Sequence, residues 1–174
     1  KWWSGEVGRG HAARGRRDQL LATWLTIRTA DEVNLGRLYG EARTFLAESN
    51  EPLPDMLEEI NGLGREYRQI YERTDEVPDQ IGAVYRRLEA LGITTAVPLL
   101  AWLRTLSGSV LTTDQHEQCV AAVDSYVMRR LIVGGQTRGY GRAFLEVLQQ
   151  GKGGVTGDEI QTRIIGALLG SPYN

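Results

Sequence analysis

Four arginines and one tyrosine between positions 129 and 142 are the residues of this chain best suited to binding phosphate. They are Arg129, Arg130, Arg138, Tyr140 and Arg142, and no acidic residue interrupts them. Arginine holds phosphate through paired hydrogen bonds, and a tyrosine ring can stack on a base or a sugar. The segment therefore predicts a local nucleic-acid-binding patch. The alternative is that the arginines hold carboxylates or helix carbonyls of neighbouring helices, and the acidic balance of the chain favours this structural role.

A second basic group lies near the start of the chain, where Arg9, Arg14, Arg16 and Arg17 follow one another closely. These side chains could also face phosphates. Their spacing alone does not distinguish a phosphate-binding surface from ordinary ion pairs with neighbouring helices.

The remaining reactive residue types indicate no catalytic centre. His116 and Cys119 are one helical turn apart and could supply two zinc ligands, but no further ligands accompany them, so we predict a solvated histidine and a buried cysteine. The glycines between 134 and 141 lack the preceding strand and the Gly-Lys-Ser/Thr sequence of a phosphate-binding loop. The acidic runs at 55–59 and 75–79 are typical of solvated helix starts. No catalytic or metal-binding residue is predicted.

Composition limits the class of protein. The chain has 174 residues, a net charge of −2 and a pI near 5.8, which argues against a strongly basic nucleic-acid-binding domain. Its single cysteine cannot form an intramolecular disulfide, which is typical of a cytoplasmic protein. The apolar runs are shorter than the roughly 20 residues that a membrane-spanning helix needs. We expect one cytoplasmic domain without a membrane segment.

Apolar residues recur at helical spacing along nearly the whole chain, which predicts an all-α fold. We expect a single compact bundle of about seven or eight helices, without repeats. The predicted helices begin near Asp18, Asn34, Pro54, Pro78, Pro98, Thr113 or Asp114, Tyr140 and Thr156. The best candidate for a strand is the segment 92–97, which Pro98 weakens.

Particular helices carry sharper predictions. Asn34 is expected to cap the second helix, which would bury Leu35, Leu38, Tyr39, Ala42, Phe45 and Leu46. Thr156 and Glu159 have the spacing of a capping box. The glycine-rich segment 151–154 is predicted to be a flexible loop between the last two helices.

Both ends of the sequence indicate a piece of a longer multidomain protein. The first residue is Lys1 rather than methionine, and the aromatic pair Trp2-Trp3 follows at once. Near the other end, Tyr173 comes after helix-stop residues and would need a packing partner. We therefore expect residues 1–174 to be an internal helical domain.

Several segments, taken in order, resemble a known family. They are Trp2-Trp3 with the basic run that follows, the segments 19–26 and 33–39 leading to Phe45, and the segment 126–134 with Thr137 and Phe144. In this order they are similar to the helical region of GmrSD-type restriction enzymes, which join a ParB-like NTP-binding domain to an HNH-type nuclease domain. Where the family often has asparagine after the threonine, this chain has Arg138.

The resemblance implies a bacterial antiphage endonuclease that senses modified DNA, and the phosphorothioate-sensing Ssp group is one candidate. The family's D-G-Q-Q-R-like NTP-binding motif and D-H-x-x-P-like nuclease motif do not occur in this sequence, so no catalytic residue is carried over. The implied role is a non-catalytic coupling domain. Its partners would be the flanking NTP-binding and nuclease domains, and DNA through the local basic patch. An NTP and a divalent metal are expected in the parent enzyme, with no cofactor in this domain.

Two other functions fit the sequence. A free-standing helical adaptor or regulator would bind a protein partner through Trp24, Tyr39 and Trp102 if those side chains were exposed, although aromatic residues are more often in the core. A stand-alone DNA-binding protein would need a basic recognition helix after a tight turn, and no turn in the sequence singles one out.

Overall fold

The computed structural model describes residues 2–7, 14–72, 77–134 and 139–170. These residues form an all-α bundle of eight helices, which confirms the predicted fold class. The helices are α1 (Arg16–Thr29), α2 (Leu38–Glu48), α3 (Leu53–Glu72), α4 (Asp79–Ala90), α5 (Val97–Leu106), α6 (Thr113–Ile132), α7 (Tyr140–Lys152) and α8 (Gly157–Leu169). Two strands of two residues each, β1 (Glu6–Val7) and β2 (Arg14–Gly15), pair antiparallel before α1.

Helix α5 lies at the centre of the bundle, as its run of apolar residues predicts. Leu99, Leu100, Ala101 and Leu103 are each at most 1 % exposed. The helix packs against four others, α1, α3, α6 and α7. Burying one leucine side chain stabilises a fold by about 1.5–3 kcal/mol, so this short helix contributes strongly to holding these four helices together.

Helices α6 and α8 run side by side in the same direction. Gln115 and Gln118 on α6 contact Asp158 and Gln161 on α8 at 2.6 and 2.7 Å, so their amino-terminal ends adjoin. At the other end, Arg129 of α6 reaches the end of α8. Helix α7 packs mainly against α8. The carboxyl ends of α6 and α8 therefore form one edge of the molecule.

The helix caps agree only in part with the sequence. The Thr156 hydroxyl accepts a hydrogen bond from the Glu159 backbone N–H, and the Glu159 carboxylate accepts one from the Thr156 backbone N–H, which confirms the predicted capping box of α8. Helix α6 also begins with a capping box, which Thr112 forms with Gln115, so its N-cap lies one residue earlier than expected. The predicted cap at Thr113 or Asp114 was wrong, since the Gln115 side chain three residues on favours Thr112.

Helix α2 buries much less than its sequence predicts. Only Leu38 and Ala42 are buried, whereas Tyr39 is 70 % exposed and Leu46 is 39 % exposed. The helix packs chiefly against α1, so just one of its faces is covered. Asn34 does not cap it, because its Oδ1 accepts a hydrogen bond from the Gly36 N–H and the helix begins later, after Arg37.

One candidate strand and one predicted loop are partly helical. Residues Thr94–Ala96, within the candidate strand, form one turn of 3-10 helix that leads into α5. Gly151 and Lys152, within the predicted flexible segment, form the last turn of α7. Gly151 is buried, and a Cβ atom at this position would lie 2.9 Å from the Trp102 ring. Helices α5 and α7 therefore approach each other closely at this point. No helix among the described residues is long and apolar enough to span a membrane.

Candidate nucleic-acid interface

Arg129 is held between two helices. Its Nη1 donates a hydrogen bond to Ser125 Oγ at 2.6 Å, and its Nη2 donates one to the Leu168 carbonyl at 3.3 Å. Leu168 lies in the last turn of α8, where backbone carbonyls have no partner within the helix and a cation is favourable. Arg129 therefore ties the end of α6 to the end of α8, which is the structural alternative that the sequence left open.

Arg130 and Tyr140 form part of a buried aromatic cluster. Arg130 is 6 % exposed, and its Nη1 donates a hydrogen bond to Tyr126 Oη at 3.1 Å. Its guanidinium lies 4.7 Å from the centre of the Tyr140 ring and makes a cation–π contact with it. The Phe144 ring stacks with the Tyr140 ring, and the centres of the two rings are 5.8 Å apart. Tyr140 is 1 % exposed and donates to the Val127 carbonyl at 3.4 Å. Neither side chain faces solvent in this structure.

The five predicted residues do not form one open basic patch. Arg142 lies on the outside of α7 with its side chain 86 % exposed, paired with Glu146 one turn later at 3.0 Å. Arg138 lies outside the described residues. Among the predicted residues that the structure describes, Arg142 alone is exposed enough to reach a phosphate without rearrangement. Contact between this segment and DNA stays a prediction.

His116 is buried, contrary to the expectation of a solvated side chain. It is 3 % exposed, and its Nε2 is enclosed without a hydrogen-bond partner among the described residues. Burial and then the nearby charge of Arg104 lower the pKa of His116 to about 4, so the imidazole is neutral near pH 7. Arg104 is itself held by Glu66 at 2.9 Å. The sequence could not place Arg104 beside His116, because the two lie on different helices.

Cys119 is buried, as predicted. It is fully enclosed, and burial raises the pKa of its thiol to about 12, so the reactive thiolate is scarce at neutral pH. No group of three or more metal-binding side chains occurs in the described parts of the chain. The carboxylates Asp55, Glu58 and Asp79 are exposed near the starts of their helices, as expected, whereas residues 75 and 76 lie outside the described ranges.

Two members of the second basic group, Arg16 and Arg17, have different surroundings. Arg16 Nη1 donates to the Trp2 carbonyl at 2.7 Å, and its guanidinium lies 4.2 Å from the Trp2 ring, so Arg16 anchors the first residues of the chain. Arg17 is exposed and lines a groove between α1 and α3. Arg9 lies outside the described residues, and the Arg14 side chain is likewise not described.

The sequence did not predict the groove between α1 and α3, which we call the α1/α3 groove. It has a volume of about 410 Å³, and its lining includes Trp3, Arg17, Ile60, Arg65 and Arg68. Arg65 and Arg68 are one turn apart on α3, which was visible in the sequence. That Arg17 of α1 and the indole of Trp3 would lie against this face follows only from the packing of α1 and of the first residues of the chain on α3.

The aromatic residues proposed for an adaptor surface are mostly internal. Trp24 is 1 % exposed and packs edge-on against Phe45, and Trp102 is half-buried. Tyr39 is the exposed member, and its hydroxyl donates a hydrogen bond to Asp18 at 2.6 Å. Two of the three aromatics therefore serve the core, and only Tyr39 offers a substantial surface.

Comparisons of this chain with protein families, with characterised proteins and with solved structures find no match. The fold and the candidate sites define an all-α domain in which Arg130 and Tyr140 of the arginine segment are buried and Arg142 is exposed.

Proposed function

We propose that this chain is a non-catalytic coupling domain of a bacterial antiphage DNA restriction nuclease, linking an NTP-binding module to a nuclease module. In this proposal the NTP and the divalent metal belong to the flanking modules, which are its partners in the cytoplasm. The proposal rests on the resemblance to GmrSD-type enzymes. The packing of the arginine segment supports it.

The observation that carries most weight is the internal role of Tyr126 and Arg130, which belong to the segment with the strongest resemblance. Arg130 joins α6 to the start of α7 through the Tyr140 ring, while Arg129 joins α6 to the end of α8. Three helices are thus fixed to one another by one short segment. A domain that transmits position between two modules needs such a rigid connection, because a loose bundle would absorb the displacement.

The carboxyl ends of α6 and α8 offer a surface for a neighbouring module. Ile132, Val133 and Leu169 are 80 %, 65 % and 53 % exposed there. Ile132 and Val133 lie within the arginine segment, and Leu169 follows Leu168, whose carbonyl accepts the hydrogen bond from Arg129. Exposed apolar residues that lie close together are typical of protein interfaces. We place the contact with a flanking module at this surface, which we call the α6/α8 terminal surface.

The test is an uncoupling assay on the complete protein. Ile132→Ser with Val133→Ser should leave the rate of NTP hydrolysis unchanged and reduce NTP-dependent DNA cleavage, because the chemistry stays intact while the connection is weakened. Val110→Ser with Val155→Ser is the matched control, since these exposed residues lie at the opposite end of α6 and α8. Equal loss of both activities in the test variant, or equal loss of cleavage in the control, would count against coupling at this surface.

A free-standing adaptor is the second candidate, and the exposure of Tyr39 favours it. Helix α2 leaves Tyr39 and Leu46 uncovered on its outer side. An adaptor would use this face to bind a protein without any NTP-dependent activity. Substituting Tyr39→Ser would then abolish capture of that partner, whereas in the coupling domain it should leave NTP-dependent cleavage unchanged.

A further inference from the structure

The floor of the α1/α3 groove is apolar. Leu20 and Leu21 contribute from α1, and Ile60 contributes from α3. Gly64 allows the closest approach, because a Cβ there would lie 3.3 Å from Leu20 and 3.5 Å from the Trp3 ring. Trp3 is itself supported from behind by the Tyr67 ring, stacked at 6.3 Å. The floor is therefore rigid as well as apolar.

The rim of the groove is basic. Arg17, Arg65 and Arg68 are exposed along it, and none of the lining residues is acidic. Arg68 pairs with Glu72 on its own helix, yet its side chain remains 51 % exposed. Neither Arg17 nor Arg65 forms an ion pair with any side chain in the described ranges. In a chain of net charge −2, this local excess of positive charge favours an anionic occupant.

The apolar floor continues along α3 toward its amino-terminal end. Leu53 and Leu57 are 55 % and 51 % exposed. Together with Ile60 and Gly64 they follow three- and four-residue spacing, so all four lie on the same face of α3. The face is therefore apolar in its first half, and Arg65 and Arg68 make it basic in its second half.

We infer that the α1/α3 groove binds an amphipathic polypeptide segment of a partner protein or module, whose apolar side chains lie on the floor and whose carboxylates pair with Arg17, Arg65 and Arg68. Three of the four large apolar side chains that line the groove, those of Leu20, Leu21 and Ile60, are aliphatic, and Trp3 is the fourth. A mainly aliphatic floor favours a polypeptide over a nucleic acid, because nucleotides bind chiefly to aromatic platforms and present few aliphatic groups. The partner's acidic residues would lie at one end of its apolar stripe, matching the division along α3. The inference rests on the proposed function only in that a coupling domain must contact other modules.

The test uses the chain alone with two synthetic helix-forming peptides. One carries leucines at helical spacing and glutamates at one end, and the other carries lysines in place of the glutamates. Amide-resolved NMR should show the glutamate peptide perturbing residues 17–21 and 57–68, with weaker perturbation by the lysine peptide. Two ion pairs at a partly exposed site contribute together on the order of a tenfold change in affinity.

Charge reversal tests the rim directly. Arg17→Glu with Arg65→Glu should weaken binding of the glutamate peptide about tenfold or more and strengthen binding of the lysine peptide. The matched control is Arg43→Glu with Arg86→Glu, two exposed arginines outside the groove, which should change neither affinity. All four positions are exposed, so the variants should fold.

Three outcomes would overturn the inference. One is the absence of amide perturbation along α1 and α3 with the glutamate peptide. Another is an equal effect of the test and control variants. The third is tighter binding of a single-stranded oligonucleotide than of the glutamate peptide at the same amides, which would make the groove a nucleic-acid surface. Because the flanking modules are absent from this experiment, its result is independent of the uncoupling assay.

Discussion

Replacement of His116 should change how the stability of the domain depends on pH. The buried imidazole has a pKa near 4 in the folded chain, against about 6.5 in the unfolded chain. The unfolded state therefore takes up a proton between these two values while the folded state does not. Stability is complete above about pH 6.5 and falls as the pH drops toward 4.

The size of the effect follows from the two pKa values. Between about pH 7.5 and pH 5 the unfolded state gains nearly one full proton at His116, which lowers the free energy of unfolding by about 2 kcal/mol. Below about pH 4 the loss from this group levels off at roughly 3 kcal/mol. Carboxylates also titrate in this range, so the wild-type curve alone does not isolate the histidine.

The substitution His116→Leu separates the effect of the histidine on stability from that of the carboxylates. Leucine has similar bulk and does not titrate, and the Nε2 atom that it removes has no hydrogen-bond partner among the described residues. At about pH 7.5 the two proteins should therefore have similar stability, within about 1–2 kcal/mol. At about pH 5 the free energy of unfolding of the variant, relative to that of the wild type, should be higher by about 2 kcal/mol than it is at about pH 7.5.

The assay is urea unfolding followed by far-ultraviolet circular dichroism, for both proteins at each pH. Wild type and variant share every carboxylate, so the difference between their free energies of unfolding reports His116 alone. Parallel pH dependence of the two proteins would refute the reasoning and would mean that the imidazole is solvated or gains a partner when protonated.

Three further predictions, two of them with a control substitution, can be checked by the same unfolding measurement. Arg130→Met should cost about 1–3 kcal/mol because it removes a buried hydrogen bond and a cation–π contact, whereas Arg142→Met, at a surface pair, should cost less than about 0.5 kcal/mol; similar costs would contradict the buried role. Gly151→Ala should destabilise the domain by about 1–3 kcal/mol, because the added methyl group would overpack the neighbouring indole. Gly166→Ala has open space around it and should stabilise the domain by about 0.5–1 kcal/mol. A change of stability in the same direction for both variants would contradict this packing. Thr156→Ala should cost about 1 kcal/mol through loss of the α8 cap, and an unchanged stability would mean that the cap is absent in solution.

The sequence predicted the helices well because their signals are local. Helix α8 shows why, since Thr156 and Glu159 specify its start through atoms three residues apart. The apolar run of α5 likewise predicts burial without knowledge of its neighbours. Helix α2 shows the limit of such patterns. Its apolar residues surround more of the helix than one neighbour covers, so Tyr39 and Leu46 remain exposed.

The candidate sites were harder to predict because they depend on contacts between helices. Nothing in the segment 129–142 distinguishes an arginine over a tyrosine ring from an arginine facing solvent. The position of Arg104 beside His116, and that of Arg17 across from Arg65, likewise require the packing of separate helices. Only the one-turn spacing of Arg65 and Arg68 was a local signal of the α1/α3 groove.

The most direct test of the proposed function is to read the gene on both sides of the segment that encodes residues 1–174. The coupling-domain proposal predicts, in the same reading frame, a D-G-Q-Q-R-like run upstream and a D-H-x-x-P-like run downstream. A start codon immediately before Lys1 and a stop codon immediately after Asn174 would contradict it and would favour the free-standing adaptor.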